Sequence, residues 1–208
     1  MRRLMLASVA ASLAACTTPG DVGQGAKISA RDLDKVTAVL KRDFRDRGQA
    51  KVSRVELDEV QRLCNLHADN PPAEAAKRIE EAQLKAIKFP NGNLMGDWKR
   101  AEKVAQNGRG SMWSDKPGVP AGGSCYNCHQ ISPQETSFGT LGPSLLGFGK
   151  KRGNGPDMQR YVYGKIYNSK AYNACSQMPR LGYAGTLTEE QIKDLVALLL
   201  DPASPVNK

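Results

Sequence analysis

Apolar side chains recur at helical spacing along the first half of the chain. The first such segment begins after Ser29, a good N-cap residue, and ends before Gly48. Apolar positions three or four residues apart share one face of an α-helix, so we expect that face to be buried. Two further helices are predicted, a less regular one over residues 55–66 and one rich in Ala and Glu after Pro71 and Pro72. The apolar positions of the first helix are Leu33, Val36, Val39, Leu40 and Phe44.

The second half of the chain alternates short helices with loops dense in Gly and Pro. Asp97 is expected to cap a helix that Gly108 ends, and another short helix is predicted over residues 158–167. Thr188 and Gln191 have the spacing of a capping box and open a last helix. The sequence therefore predicts an all-α chain that is short of apolar core residues, with a non-protein group at its centre. The predicted buried stripe of the last helix is Ile192, Leu195, Val196 and Leu199.

The first residues have the organisation of a secretory signal peptide. Arg2 and Arg3 precede the apolar run LMLASVAASLAA, which is too short to span a bilayer. The run ends in Leu-Ala-Ala-Cys, which looks like a lipobox, so Cys16 is the candidate for lipid modification once residues 1–15 are removed. The alternative is ordinary cleavage after Ala14, without a lipid. We expect a periplasmic protein with residues 16–28 as a flexible tether and no transmembrane helix.

The segment GGSCYNCHQI contains the most specific chemical motif. Cys125 and Cys128 are separated by two residues, and His129 follows directly. A structural zinc ion needs four ligands, which Cys64 and His67 could complete, but His129 would then have no role. A thioredoxin-like dithiol belongs at a strand-to-helix junction, and no strand pattern precedes the motif. In an exported chain, C-x-x-C-H is instead the motif that attaches one haem c through two thioethers, with the histidine as an axial iron ligand.

A second axial ligand is expected on the other face of the haem. Met178 lies next to Pro179 in a loop between two predicted helices, and its thioether is a soft ligand that raises the reduction potential. A site with His67 as the second ligand, or an inducible site, is the alternative. Near the motif, the carbonyl of Pro143 is expected to accept the Nδ1–H of His129 and so orient the ring. No residue is assigned a catalytic role. The methionines that are less well placed are Met95, Met112 and Met158.

Two further cysteines, Cys64 and Cys175, are not needed for haem attachment. Free thiols are usually consumed in an oxidising compartment, so we predict a Cys64–Cys175 disulfide. This bridge would fasten the N-terminal helices to the loop of Met178. The alternatives are a free Cys175 thiol near the haem, or a bridge that involves Cys16 if that residue is not lipidated.

The chain is basic, and its net charge of +9 falls to +7 when Arg2 and Arg3 are removed. An exported protein rarely meets nucleic acid, so the excess charge favours an acidic protein partner or an anionic substrate. Residues 150–152, Lys-Lys-Arg, are a candidate patch that steers an acidic electron partner to the haem edge. The alternative is an ordinary solvated run of charges.

Four segments together resemble a class I cytochrome c domain: CYNCH, LGPSLLGFG, NACSQMPRLG and LTEEQIKDLVALLL. The long loop before Met178 and the MPRLG…LTEEQI ending are similar to the SoxX family, the monohaem subunits of SoxAX thiosulfate-oxidising complexes. The resemblance covers residues 98–201 and implies a cytochrome c domain over residues 96–208. It also implies covalent haem on Cys125 and Cys128, with His129 and Met178 as axial ligands. The chain differs from a minimal cytochrome c in having a helical extension over residues 29–95, which a minimal cytochrome c lacks.

The same resemblance implies a division of labour between two subunits. A SoxA-type haem subunit, the partner in a heterodimer, would hold the catalytic haem of an L-cysteine S-thiosulfotransferase. There, thiosulfate is joined oxidatively to a cysteine of a SoxY-type carrier protein, and this chain would pass the released electrons to a soluble cytochrome c. One alternative is a freestanding cytochrome that serves another dehydrogenase or a terminal oxidase. Another is a haem enzyme such as a peroxidase, against which Met178 argues because it would occupy the open iron position.

Overall fold

The computed structural model describes residues 27–208, and the regular structure in this range is helical. Residues 1–26, which include the predicted signal peptide, Cys16 and most of the tether, lie outside the described residues. Within residues 27–208 no strand forms, and an isolated β-bridge joins Arg47 and Ala50. The all-α prediction is therefore confirmed. The helices are α1 (Ala30–Asp43), α2 (Glu59–Leu66), α3 (Ala73–Lys85), α4 (Trp98–Gln106), α5 (Phe148–Arg152), α6 (Pro156–Tyr167) and α7 (Glu189–Leu200).

Short 3-10 turns connect or extend these helices. They cover Val52–Val55, Cys125–Asn127, Ser169–Ala171 and Pro205–Asn207. The helix predicted over residues 55–66 begins only at Glu59, because Asp58 caps it through a capping box with Gln61. α1 packs on α2 and on the Val52–Val55 turn, while α3 packs on the Ser169–Ala171 turn. α3 therefore connects the N-terminal helices to the segment that follows α6.

The main core is built around α7. Asp97 caps α4, and Thr188 and Gln191 form the predicted capping box of α7. α4 packs against α7, and the carboxylate of Asp194 in α7 accepts hydrogen bonds from the N–H of Asp97 at 2.7 Å and from the guanidinium of Arg100. α6 packs on α7 as well, and the connector after α3 contributes Ile87 and Leu94 to the same apolar cluster.

The sequence pattern overestimates the burial of α1 and underestimates that of α7, whose predicted stripe of Ile192, Leu195, Val196 and Leu199 is buried together with further residues. In α1 only Leu33 is buried, whereas Val36, Val39 and the C-cap residue Phe44 are exposed by 53%, 46% and 56%. The reason is that, within residues 27–208, the elements that pack most closely on α1 are α2 and the short Val52–Val55 turn, which leave much of its surface uncovered. In contrast, α7 is buried from Leu195 to Leu200 without interruption, because α4, α5 and α6 all pack on it. The apolar core is consequently larger than the sequence indicated.

α5 lies in a segment that was predicted to be a loop. It begins after Gly147 and ends at Gly153, whose φ angles of 64° and 81° fall in the left-handed region that favours glycine. Five residues between two glycines give too short a pattern for a sequence-based prediction. In residues 27–208 no helix combines the length and the apolar character needed to cross a bilayer.

Candidate haem-attachment site

The Cys125–Asn127 turn brings the three motif residues together. Ser124, immediately before it, adopts a left-handed conformation with a φ of 49°. The N–H groups of Cys128 and His129 donate to the carbonyl of Cys125 at 3.1 and 2.9 Å. Both cysteines and the histidine are therefore carried on one hydrogen-bonded turn.

This turn is anchored at the C-terminal end of α4. The N–H of Gly123 donates to the carbonyl of Val104 at 2.8 Å, and the N–H of Ser124 donates to that of Asn107 at 3.0 Å. Carbonyls in the last turn of an α-helix have no partner within the helix, so they are free to accept these bonds. Because α4 packs on α7, the motif is also fixed relative to the main core.

The two motif thiols are available for covalent bonds. Among the cysteines of residues 27–208, Cys125 and Cys128 carry no disulfide, and both are half-buried. Cys125 packs against the main apolar cluster, and this burial raises the pKa of its thiol to about 11. A thiol that stays protonated at neutral pH is a poor attacking group in disulfide exchange. The burial thus disfavours the dithiol alternative.

The imidazole of His129 is oriented by the backbone of residues 139–145. Its Nδ1 lies 2.8 Å from the carbonyl oxygen of Pro143, the partner expected above. Because a carbonyl only accepts, Nδ1 carries the proton and Nε2 keeps the lone pair that can bind a metal. A Cβ on Gly142 would lie 2.5 Å from Nδ1, so a glycine is required beside the ring. Three hydrogen bonds of 2.8 Å hold this segment against the motif, from the N–H groups of Gly139, Gly142 and Leu145 to the carbonyls of Tyr126, Cys128 and Gln130.

Met178 lies in the loop between the Ser169–Ala171 turn and α7. It is half-buried and packs against the same apolar cluster as Cys125. Its carbonyl accepts a hydrogen bond of 2.5 Å from the hydroxyl of Ser169. Leu181, three residues further on, has its Cδ1 atom 3.6 Å from the position that a Cβ on Gly123 would take. The loop of Met178 therefore approaches the residues that precede Cys125. Of the other methionines in residues 27–208, Met95 and Met158 pack against the cluster, and Met112 is exposed in a loop.

The predicted disulfide between Cys64 and Cys175 is present, and it joins residues 111 positions apart. A sulfur in a disulfide is not a thiolate, so Cys64 is not available as a zinc ligand. This removes the four-ligand zinc site of Cys64, His67, Cys125 and Cys128. His67 itself is the half-buried C-cap residue of α2.

Some residues around the loop of Met178 were not identified from the sequence. Arg180 forms an ion pair with Asp58, which lies 122 positions earlier in the chain. A single Asp and a single Arg at such a separation have no characteristic spacing, so no motif could have indicated the pair. The basic residues 150–152 lie on α5 and are exposed, and their role in steering a partner stays a prediction.

Comparison with known proteins places the chain beside a lipoprotein of similar sequence. No family model matches the chain. An uncharacterized lipoprotein of Aquifex aeolicus (strain VF5) is 40% identical to it over 159 residues, which make up 73% of each of the two proteins. At this identity and coverage the two chains share a common fold and ancestry. The chain therefore belongs to the same family as this lipoprotein of Aquifex aeolicus.

Proposed function

We propose that the chain is an exported electron-transfer cytochrome that binds one haem c covalently through Cys125 and Cys128. The observation that carries the proposal is the geometry of the motif turn. Two thiols without a disulfide lie on the same turn as a histidine whose Nδ1 is already bonded to a carbonyl. This donor set matches c-type haem attachment better than zinc binding or dithiol chemistry.

The residues present fit a haem in three respects. The thiols of Cys125 and Cys128 are two residues apart and available, as attachment to two vinyl groups requires. The Nδ1 contact with Pro143 leaves Nε2 of His129 as the nitrogen for iron. Gly142 lies against the ring face where any side chain would collide with the imidazole.

The chain's own groups would tune the site in distinct ways. When bound, a haem supplies a one-electron iron couple. The carbonyl of Pro143 would increase the basicity of His129 as a ligand and fix the orientation of its ring. Met178 would be the second iron ligand, because its loop approaches Gly123 and Cys125, and its thioether would favour reduced iron. The apolar cluster around Cys125 would keep water from the attachment side.

The finer proposal is that the chain is a SoxX-type subunit. It is supported by the resemblance of the CYNCH, LGPSLLGFG and MPRLG segments and by the terminal helix α7. In this role the chain would form a heterodimer with a SoxA-type haem subunit and relay electrons from the joining of thiosulfate to a SoxY-type carrier. A soluble cytochrome c would accept these electrons.

Co-purification tests the finer proposal. When the tagged chain is purified from a periplasmic or membrane extract, a second, untagged haem protein should co-purify with it. The two proteins together should oxidise thiosulfate in the presence of the carrier protein. A chain that elutes alone and reduces or oxidises other cytochromes would contradict the SoxX assignment and favour a freestanding cytochrome.

We also propose that Cys16 carries a lipid anchor. The support is the Leu-Ala-Ala-Cys sequence at residues 13–16 and the membership in a family with a lipoprotein. The mature wild-type protein should partition into the detergent phase of a Triton X-114 extraction, while Cys16→Ser should move to the aqueous phase. Equal partition of the two proteins into the aqueous phase would contradict lipidation.

The axial assignment is tested with two methionine variants. Met178→Ala should keep its covalent haem, since the thioethers come from Cys125 and Cys128, but should lose the weak sulfur-to-iron charge-transfer band and have a lower reduction potential. Met112→Ala is the matched control, because Met112 is 44% exposed in a loop. A near-infrared spectrum of Met178→Ala that is unchanged from wild type would contradict the assignment.

A further inference from the structure

The loop that carries Met178 is held from outside by the helical extension. Beyond the Cys64–Cys175 disulfide, side-chain hydrogen bonds connect the extension to residues 174–180. The carboxylate of Glu80 accepts the N–H of Ala174 at 3.0 Å, and the amide of Gln177 donates to Asp69 at 2.8 Å. A third contact is the ion pair between Arg180 and Asp58.

These contacts lie on both sides of Met178 in the sequence. The disulfide, Ala174 and Gln177 precede it, and Arg180 follows it by two residues. The apolar cluster of Cys64, Ala174 and Cys175 with Val60, Ala76 and Ile79 covers the preceding side. On the following side, the hydrogen bonds between the extension and residues 179–188, among the described residues, come from Arg180, to Asp58 and, at 3.5 Å, to Gln83.

Arg180 is well suited to hold this side of the loop. Its side chain is only 13% exposed, while that of Asp58 is 39% exposed. A guanidinium that is largely removed from water needs a charged or hydrogen-bonding partner, and loss of that partner leaves the charge uncompensated. The guanidinium also lies 4.8 Å from the ring centroid of Tyr183, which restricts it further.

We propose that Asp58 and Arg180 are a positioning pair that holds the Met178 sulfur in place for axial ligation. The extension would then regulate the strength of the sixth iron ligand, rather than serving only to dock a partner. The inference rests on the proposed haem function. Its physical basis is that a ligand on a pre-ordered loop loses less conformational entropy on binding than one on a mobile loop.

Asp58 also caps α2, and the test must separate its two roles. Its Oδ1 accepts the N–H of Gln61 at 2.8 Å, while Oδ2 accepts from Arg180. Asn is as good an N-cap residue as Asp, so Asp58→Asn keeps the cap and removes the charge. Asp34→Asn is the matched control, because it breaks an exposed ion pair with Arg62 elsewhere in the extension.

The experiment measures imidazole binding to the oxidised holoprotein, since imidazole competes with the Met178 sulfur for iron. We expect imidazole to bind about tenfold more tightly to Asp58→Asn than to wild type, and equally to wild type and Asp34→Asn. Arg180→Gln should have at least the effect of Asp58→Asn, because it also removes the contacts with Gln83 and Tyr183. The double variant should show no increase beyond Arg180→Gln, because both changes remove the same ion pair. Hydrogen exchange of residues 176–183 should be faster in all three of these variants than in the control.

Equal imidazole affinity and equal exchange in Asp58→Asn and Asp34→Asn would overturn the inference while leaving the haem function intact. Additive effects in the double variant would also overturn it, since the two residues would then act separately. A wild-type protein without covalent haem would instead contradict the proposed function, and this inference with it.

Discussion

At the scale of single residues, the imidazole of His129 lies between a carbonyl and a glycine. The Pro143 carbonyl fixes which nitrogen is protonated, and Gly142 leaves space for the ring. The contact with Pro143 was predictable, because a turn soon after the histidine of a C-x-x-C-H motif is suited to accept its Nδ1–H. The steric role of Gly142 was not, since it depends on a ring approaching from another turn of the chain.

Gly142→Ala should therefore displace the His129 ring. Overpacking of this kind typically costs about 1–3 kcal/mol, so we expect a lower free energy of unfolding and a smaller fraction of protein with the His129 ligand. Urea unfolding and the ultraviolet–visible spectrum measure the two effects. Gly155→Ala is the control, because no atom lies within 4 Å of the Cβ it would add and its φ of −65° suits any residue. Equal stability of the two variants would contradict the steric argument.

Asp115 is a buried carboxylate that organises the loop before the motif. It accepts the N–H groups of Gly110 at 2.7 Å and Met112 at 2.9 Å. The pKa of Asp115 lies below its ordinary value, chiefly because of the hydrogen bond from the N–H of Met112. Burial raises this pKa and the hydrogen bond from Gly110 lowers it, so the net shift is downward. The carboxylate therefore stabilises the fold above the unfolded pKa of about 3.9, and this stability is lost as pH falls through the lower folded pKa.

Asp115→Asn should accordingly be less stable than wild type at pH 7, and the difference should shrink as the pH approaches 3. Urea unfolding at a series of pH values measures it. A difference in the free energy of unfolding that is constant with pH, or that grows in acid, would show that the charge of Asp115 does not carry the effect.

At the scale of elements, helices with local start signals were predictable, and so was the buried stripe of α7, but the exposure of α1 was not. Thr188 and Gln191 open α7, and Asp97 opens α4, as the capping pattern indicated. Capping depends on residues three positions apart, so it is encoded locally. The burial of Val36 and Val39 depends on which other elements pack on α1, and that information lies elsewhere in the chain.

The disulfide is the strongest link between α2 and the loop of Met178. It closes a loop between residues 111 positions apart, which by the chain-entropy model stabilises the fold by about 5 kcal/mol. A Cys64→Ala/Cys175→Ala double variant should lose stability of this order in urea unfolding. A reductant that leaves the haem attached should destabilise wild type and leave the double variant unchanged. Equal stability of wild type and variant without reductant would contradict the prediction.

At the scale of the whole molecule, the helical extension (residues 29–95) and the part of the chain that contains the C-x-x-C-H motif (residues 96–208) form a connected structure. Ile87 and Leu94 enter the main core, and the disulfide and the Asp58–Arg180 pair join α2 to the loop of Met178. Cysteine counting predicted the disulfide, since two cysteines had no other chemistry. The polar contacts around it could not be predicted, because they depend on the tertiary arrangement of residues about a hundred positions apart.

Covalent attachment of one haem to Cys125 and Cys128 is the central claim, and a single measurement tests it. The protein would be produced in cells with a c-type cytochrome maturation system, purified, and digested with a protease. Mass spectrometry of the peptide that contains residues 125–129 should show one haem joined through both cysteines. A peptide without haem, with both thiols open to alkylation, would contradict the claim.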